Sequence, residues 1–183
     1  MFGWVVLGLV VALAAYGIAT YNGLVAGRNQ VGNGWKQIDV QLKRRYDLIP
    51  NLVEVAKDYM GYEQETLKQV IAARATAMSA HTPAASGAAE AQLAGALGKF
   101  FALAESYPEL KANENVRSLM EELTSTENKI AFARQHYNDS VMAQNNRIEQ
   151  FPSNLVARFG GFGPHEYFEV PEAEMAPVKV SLR

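Results

Sequence analysis

The feature that most constrains this chain is its beginning. The stretch "FGWVVLGLVVALAAYGIATY", residues 2–21, is twenty residues without a charge, and the first charged side chain is Arg28. As a helix rising about 1.5 Å per residue, it reaches roughly 30 Å, the thickness of a bilayer's hydrocarbon core. Trp4 near one end, with Tyr16 and Tyr21 towards the other, suits aromatic anchoring at the membrane–water boundary. The residues expected to form the anchor are Phe2, Trp4, Leu7, Leu9, Val10, Leu13, Tyr16, Ile18 and Tyr21. Gly3, Gly8 and Gly17 are not spaced as a small-xxx-small face for a second helix.

A cleaved signal peptide is the competing reading. Such peptides carry a positive leading region, a shorter apolar core and a small-residue cleavage site. Here only Met1 precedes a longer apolar run, and the chain passes into charged helical sequence without a polar gap. The small residues of "ALAAYGIA" keep the alternative open at this point. For topology, Arg28 and Lys36 follow the run and no Lys or Arg precedes it. The positive-inside rule then places the carboxy-terminal domain in the cytoplasm and the amino terminus outside.

Past residue 21, apolar residues recur in steps of three and four. Val31, Trp35, Ile38 and Leu42 lead to Ile49, Leu52 and Ala56, which predicts a helix with one packed face. Gly32 and Gly34 weaken its first turns, each by about 1 kcal/mol relative to alanine. Pro50 lacks an N–H and crowds the Tyr46 carbonyl, yet the apolar stripe crosses it, so a kinked helix is expected rather than a break. A second helix is expected from about Glu63 to Ala80. "HTPAASGAA", His81 to Ala89, reads as a loop, and a third helix spans about Ala89 to Glu105 before Pro108 interrupts.

Asn113 is placed to cap the fourth element, which is expected to be the longest. Val116, Leu119 with Met120 beside it, Leu123, Thr126, Ile130, Ala133, Tyr137, Val141, Gln144, Ile148 and Phe151 carry an average spacing of about 3.5 up to Pro152, a coiled-coil or bundle seam. The side chains expected to pack helices or mediate assembly are Trp35, Ile38, Leu42, Ile49, Pro50, Leu52, Leu119, Leu123, Ile130, Tyr137, Val141 and Ile148. The remainder, 152–183, has Pro, Gly and aromatics without a period and is expected to pack partly and then extend.

No strand pattern is present, so the fold expected is all-α: a transmembrane helix, residues 1–21, then an antiparallel four-helix bundle, residues 22–151, with long first and last helices.

Chemistry is hard to place on this frame. With no cysteine, thiolate nucleophiles, disulfides and cysteine-ligated zinc are excluded. A net charge of −2, spread evenly along the chain, gives no basic field for nucleic acid. His81, His136 and His165 are far apart in sequence, and no Glu-x-x-His motif exists to seed a helical metal site. "GGFG" at Gly160 to Gly163 lacks the lysine of a phosphate loop. Lys43, Arg44 and Arg45 lie 22–24 positions beyond Tyr21. On a straight helix that is roughly 33–36 Å, well past the reach of a membrane surface potential. Asp39 and Asp47 are available as partners on the same helix, so a solvated or locally paired face is expected, with contact to another protein helix the alternative. No enzyme, cofactor or metal is expected.

The segments "IDVQLKRRYDLIPNLVE", "LAESYPELKANENVRSLMEELTSTENKIAFARQHYNDSV" and "FPSNLVARFGGF", with "YNGLVAGRNQV", "AARA" and "EYFE", resemble the LemA family over nearly all of 21–170. Gly32 and Gly34 depart from the more helix-friendly residues usual there, so a more flexible stalk is expected. The resemblance implies a single-pass protein of the bacterial inner membrane with a cytoplasmic four-helix bundle. It supplies no reaction, and it includes magnetosome proteins linked to forming or organising membrane. The function expected is a membrane-anchored scaffold whose partners are the lipid bilayer, further copies of itself as a homo-oligomer, and a possible membrane-protein partner. An adaptor for a membrane protease or envelope-stress partner, and a membrane-shaping protein, are the alternatives.

Overall fold

In the computed structural model, which describes residues 1–169, the local signals that start and stop helices divide the chain into six elements. They are α1 (Phe2–Tyr59), α2 (Gln64–Ser79), α3 (Pro83–Ala104), α4 (Pro108–Ala112), α5 (Glu114–Glu149) and α6 (Ser153–Phe159), with no strand among the described residues. Asn113 caps α5 as its position implies: its side-chain oxygen accepts from the backbone N–H of Asn115 at 2.9 Å and of Val116 at 3.2 Å. These are donors that the first turn of a helix cannot satisfy internally.

Two expectations need correction. "HTPAASGAA" is not a loop beyond its first residues. Thr82 accepts from the Ala85 N–H at 3.2 Å, and Pro83 opens α3. A proline in the first helical turn loses no hydrogen bond and already has a helical φ, so the signal read as a breaker is a start. The stretch after Pro152 is likewise not aperiodic, since it forms α6. The expectation for residues 170–183 lies outside the described residues.

The residues form two compact units, and α1 and α5 each run from one into the other. The first comprises Met1–Ile38 and Ala133–Glu166. Here α1 buries Leu24, Gly27, Val31, Gly34 and Ile38, in alternating steps of three and four. They meet an antiparallel α5: Gln144 donates to the Leu24 carbonyl at 3.0 Å, and farther along Trp35 stacks at a tilt on Tyr137, ring centres 5.6 Å apart. Gly34 is a contact rather than a weak spot, because a Cβ there would come within 3.3 Å of the Tyr137 backbone. Gly32 faces open space, and the helix runs through both. Asn145 exchanges two hydrogen bonds with the His165 backbone, at 2.8 and 3.0 Å, and Tyr137 donates to the Glu166 carbonyl at 2.8 Å.

The second unit comprises Asp39–Phe132 with the described residues from Tyr167 onward. It is a helical bundle of α1 from Asp39 onward, then α2, α3, the short α4 and α5 up to Phe132. Ion pairs and hydrogen bonds fix their directions. Arg44 pairs with Glu122, whereas Asn113 reaches the Tyr59 hydroxyl, so α1 and α5 are antiparallel. Tyr107 reaches Glu63, which places the end of α3 by the start of α2. The core holds Leu42, Ile49, Leu52, Met60, Leu93, Phe100, Val116 and Leu123, each at most 4% exposed. Burial of side chains this size contributes about 1.5–3 kcal/mol each.

The helix passes through Pro50 as the apolar spacing implies, and the reason it tolerates the proline is visible. Pro50 has no N–H to give the Tyr46 carbonyl four residues back. That carbonyl instead accepts from Nε of Arg74 on α2, at 2.6 Å. The proline frees an acceptor and a neighbouring helix takes it.

Candidate functional site

The first candidate surface is the beginning of α1. The helix is long and apolar enough to cross a membrane. Every residue from Met1 to Tyr21 is exposed except Gly17 and Thr20, which are half-buried. Phe2, Trp4, Leu7, Leu9, Val10, Leu13, Tyr16, Ile18 and Tyr21 therefore all stand on the uncovered surface. An apolar surface of this extent on a single helix is what lipid covers, and the protein is membrane-associated.

Beside the end of this segment, within the same unit, lies α6. Its inward side is Ala157, 1% exposed, packed with Leu24, Phe162, Val25 and Ile148. After α6 the chain turns through Gly160 and Gly161. Gly161 has φ +68°, a conformation that side chains resist. At Gly160 a Cβ would lie 2.7 Å from the Phe162 ring and 3.2 Å from that of Tyr21. The "GGFG" glycines thus let Phe162 fold back, edge-on to Tyr21 at 5.5 Å and beneath the Arg28 guanidinium at 5.4 Å. The other side of α6 is uncovered: Leu155 is 51% and Phe159 92% exposed, with Phe151 at 80% just before the helix. Removing a Leu or Phe of this kind from water is worth about 1.5–3 kcal/mol, which this surface forgoes in solvent.

The second candidate is a charged cluster inside the bundle. Arg45, 5% exposed at its side chain, sits between Glu90 Oε2 at 2.8 Å and Glu127 Oε2 at 2.7 Å. Tyr46 donates to the other Glu90 oxygen at 2.5 Å. Burial pushes the Glu90 carboxyl above its ordinary value, and the Tyr46 hydrogen bond and the Arg45 charge oppose that. Burial and then Glu90 push the Tyr46 phenol far above the usual range, so it remains a neutral donor. The arrangement holds charge in a low-dielectric place and compensates it. Its polar groups are engaged with one another, and Arg45 and Glu127 also line a cavity with Leu97, Phe101 and Leu123.

This corrects the expectation for Arg45 and for the partner of Arg44, whereas Lys43 is exposed. Arg45 is neither solvated nor paired to Asp39 or Asp47, and Arg44 pairs with Glu122 on α5. A signal was present in the spacing. The buried residues Leu42, Arg45, Ile49, Leu52 and Ala56 keep alternating steps of three and four, and so do Ser86, Glu90, Leu93, Leu97, Phe100 and Ala104. A stripe read from Leu42 directly to Ile49 skips a packed position, and that position is the arginine.

Of the side chains expected to pack, Ile38, Leu42, Ile49, Leu52, Leu123, Ile130, Tyr137 and Val141 are buried. Trp35, Leu119 and Ile148 are half-buried, and Pro50 is exposed. His81 and His136 are exposed and His165 is half-buried. Among the described residues no group of three or more His, Asp or Glu side chains is arranged to hold a metal ion.

Comparison with known proteins accords with these features. Magnetosome protein MamQ 2 of Paramagnetospirillum magneticum is 25% identical over 195 residues, covering 92% of this chain and 72% of that protein. Magnetosome protein MamQ of Magnetospirillum gryphiswaldense is 24% identical, covering 94% and 73%. Protein LemA of Metamycoplasma hominis is 24% identical, covering 87% and 74%. The model of the LemA family matches residues 34–182, which include α1 from Gly34 onward with Pro50, and α2 to α6, and the chain belongs to that family.

Proposed function

We propose that this protein is a non-enzymatic scaffold of the bacterial inner membrane, which self-assembles and holds partners there. The observation that carries the reading is α1 itself. One continuous helix joins an uncovered apolar segment of membrane-spanning length to residues that pack as a bundle. A bundle tethered in this way meets its neighbours at high effective concentration, so weak lateral contacts suffice for assembly. With Arg28 and Lys36 following the span, the bundle faces the cytoplasm and the amino terminus lies outside.

Mass measurement of the full chain in mild detergent and in lipid nanodiscs tests the assembly. The expected result is a discrete oligomer in both, and a monomer in both sinks it. Affinity capture with residues 1–21 deleted separates scaffold from adaptor: partners retained without the anchor favour an adaptor. A membrane-shaping role is the second reading, favoured by the similarity to proteins named for the magnetosome. Vesicles that keep their shape at high surface density of the full chain count against it.

A further inference from the structure

We propose that α6 is an interfacial helix, which lays its uncovered face on the bilayer that α1 crosses. The proposal rests on the reading of residues 2–21 as a membrane span and adds a second contact that the span does not require. Three observations carry it. The first is the inversion of α6: Ala157 faces the protein, while Leu155 and Phe159, four residues apart on the helix, face outward, and the exposed Phe151 precedes the helix. An aromatic and aliphatic stripe at that spacing is the pattern of helices that lie in the plane of a membrane interface.

The second is continuity. Leu155, Phe159 and Gly160 line one groove together with Gly17, Ile18 and Tyr21 of α1. Those three belong to the last turn or so of the expected span, residues 2–21, about 6 Å of helix, so a span placed in a bilayer sets this groove at the interface. The outward face of α6 and the exposed side of Ile18 are parts of one apolar surface. The third is charge. Arg158 on α6, Arg147 on α5 and Arg28 on α1 are exposed, against one exposed acid, Glu149, on the last turn of α5, and residues 1–38 hold no acidic side chain. Cations at this depth match lipid phosphate. Arg28 lies over the Phe162 ring and Arg147 donates to the Gly23 carbonyl at 3.1 Å, so both are held beside the groove.

The chain has no cysteine, so single-cysteine variants of the full protein accept one nitroxide label each. Labels at Leu155→Cys and Phe159→Cys are compared with Arg158→Cys, an anchor control at Ile18→Cys and a solvent control at Ala75→Cys. The protein is reconstituted in vesicles of phosphatidylcholine and phosphatidylglycerol, and collision with oxygen and with a water-soluble nickel chelate is read at each site. The expected result is oxygen collision exceeding nickel collision at positions 155 and 159, as at 18, with the reverse at 158 and 75. Nickel exceeding oxygen at 155 and 159, with 18 still lipid-like, overturns the proposal and leaves the span intact. A water-like reading at 18 overturns both. Low collision with both reagents at 159, with spin–spin broadening that dilution by unlabelled protein removes, also overturns it, because a second copy then covers the face.

Discussion

Replacing Arg45 by methionine isolates what the buried cluster does. Methionine keeps most of the side-chain volume and removes the charge, so the loss is chiefly electrostatic. Glu90, 6% exposed, then keeps the Tyr46 hydrogen bond and has no cation beside it. Its cost has a ceiling, since the carboxyl can enter the fold protonated. From the ordinary value of 4.5, protonation at pH 7 costs about 3.4 kcal/mol, and at pH 5.5 about 1.4 kcal/mol, at 1.36 kcal/mol per unit. Glu127 is half exposed and adds little.

The sign follows from linkage. A carboxyl raised in the fold favours the folded state below its ordinary value, and that favour is lost as pH rises through its folded value. Burial already raises Glu90 in the native protein, and removing Arg45 removes one of the opposing influences. The Arg45→Met chain is therefore expected to be less stable than wild type by about 3 kcal/mol at pH 7, with more than half of that regained at pH 5.5. Urea unfolding of the full chain in detergent, followed by far-ultraviolet circular dichroism at both pH values, measures this. Adding Glu90→Gln to Arg45→Met is expected to restore stability at pH 7 to within about 1 kcal/mol and to abolish the pH dependence. An equal loss at the two pH values, or no rescue by Glu90→Gln, would falsify the charge argument and leave packing as the reason for Arg45.

Three further outcomes are expected. Arg74→Met leaves the Tyr46 carbonyl without a donor and costs about 1–3 kcal/mol. In a Pro50→Ala background the new N–H satisfies that carbonyl, so a double-mutant cycle by urea unfolding shows coupling of about 1 kcal/mol or more, and strict additivity refutes the exchange. Gly32→Ala, facing open space, raises stability by about 0.5–1 kcal/mol, whereas Gly34→Ala gains less or loses because its Cβ crowds Tyr137; equal gains in the melting temperature contradict a close contact at Gly34. Gly87→Ala places a Cβ 1.8 Å from the Glu169 carbonyl oxygen. That substitution is expected to displace the chain there and raise proteolysis near Glu169, and an unchanged cleavage pattern counts against the close approach.

The elements legible in the sequence are those whose signal is local. Twenty uncharged residues declare α1 as a membrane candidate, because the length an apolar helix needs is set by the bilayer and not by other parts of the chain. Steps of three and four declare packed helices, and Asn113 declares the start of α5, because capping and helical phase act over one or two turns. Thr82-Pro83 is equally local but ambiguous, since a proline that ends one helix starts another with the same φ.

Tertiary structure decided the rest, and charge is the clearest instance. Its phase between Leu42 and Ile49 sets Arg45 apart from Lys43 and Arg44, but phase alone does not bury a charge. Arg45 is buried because Glu90, 45 residues away, occupies the same phase on another helix, and opposite charges tolerate burial only together. Pro50 is tolerated because Arg74 takes the acceptor it frees, and Gly34 is needed because Tyr137 lies against it. The face of α6 likewise depends on long-range packing. Leu155 and Ala157 are both apolar, and only the position of Leu24 and Phe162 turns one inward and leaves the other uncovered. Local energies choose helix over strand, whereas which side of a helix is buried is a property of its neighbours, and those come from distant parts of the chain.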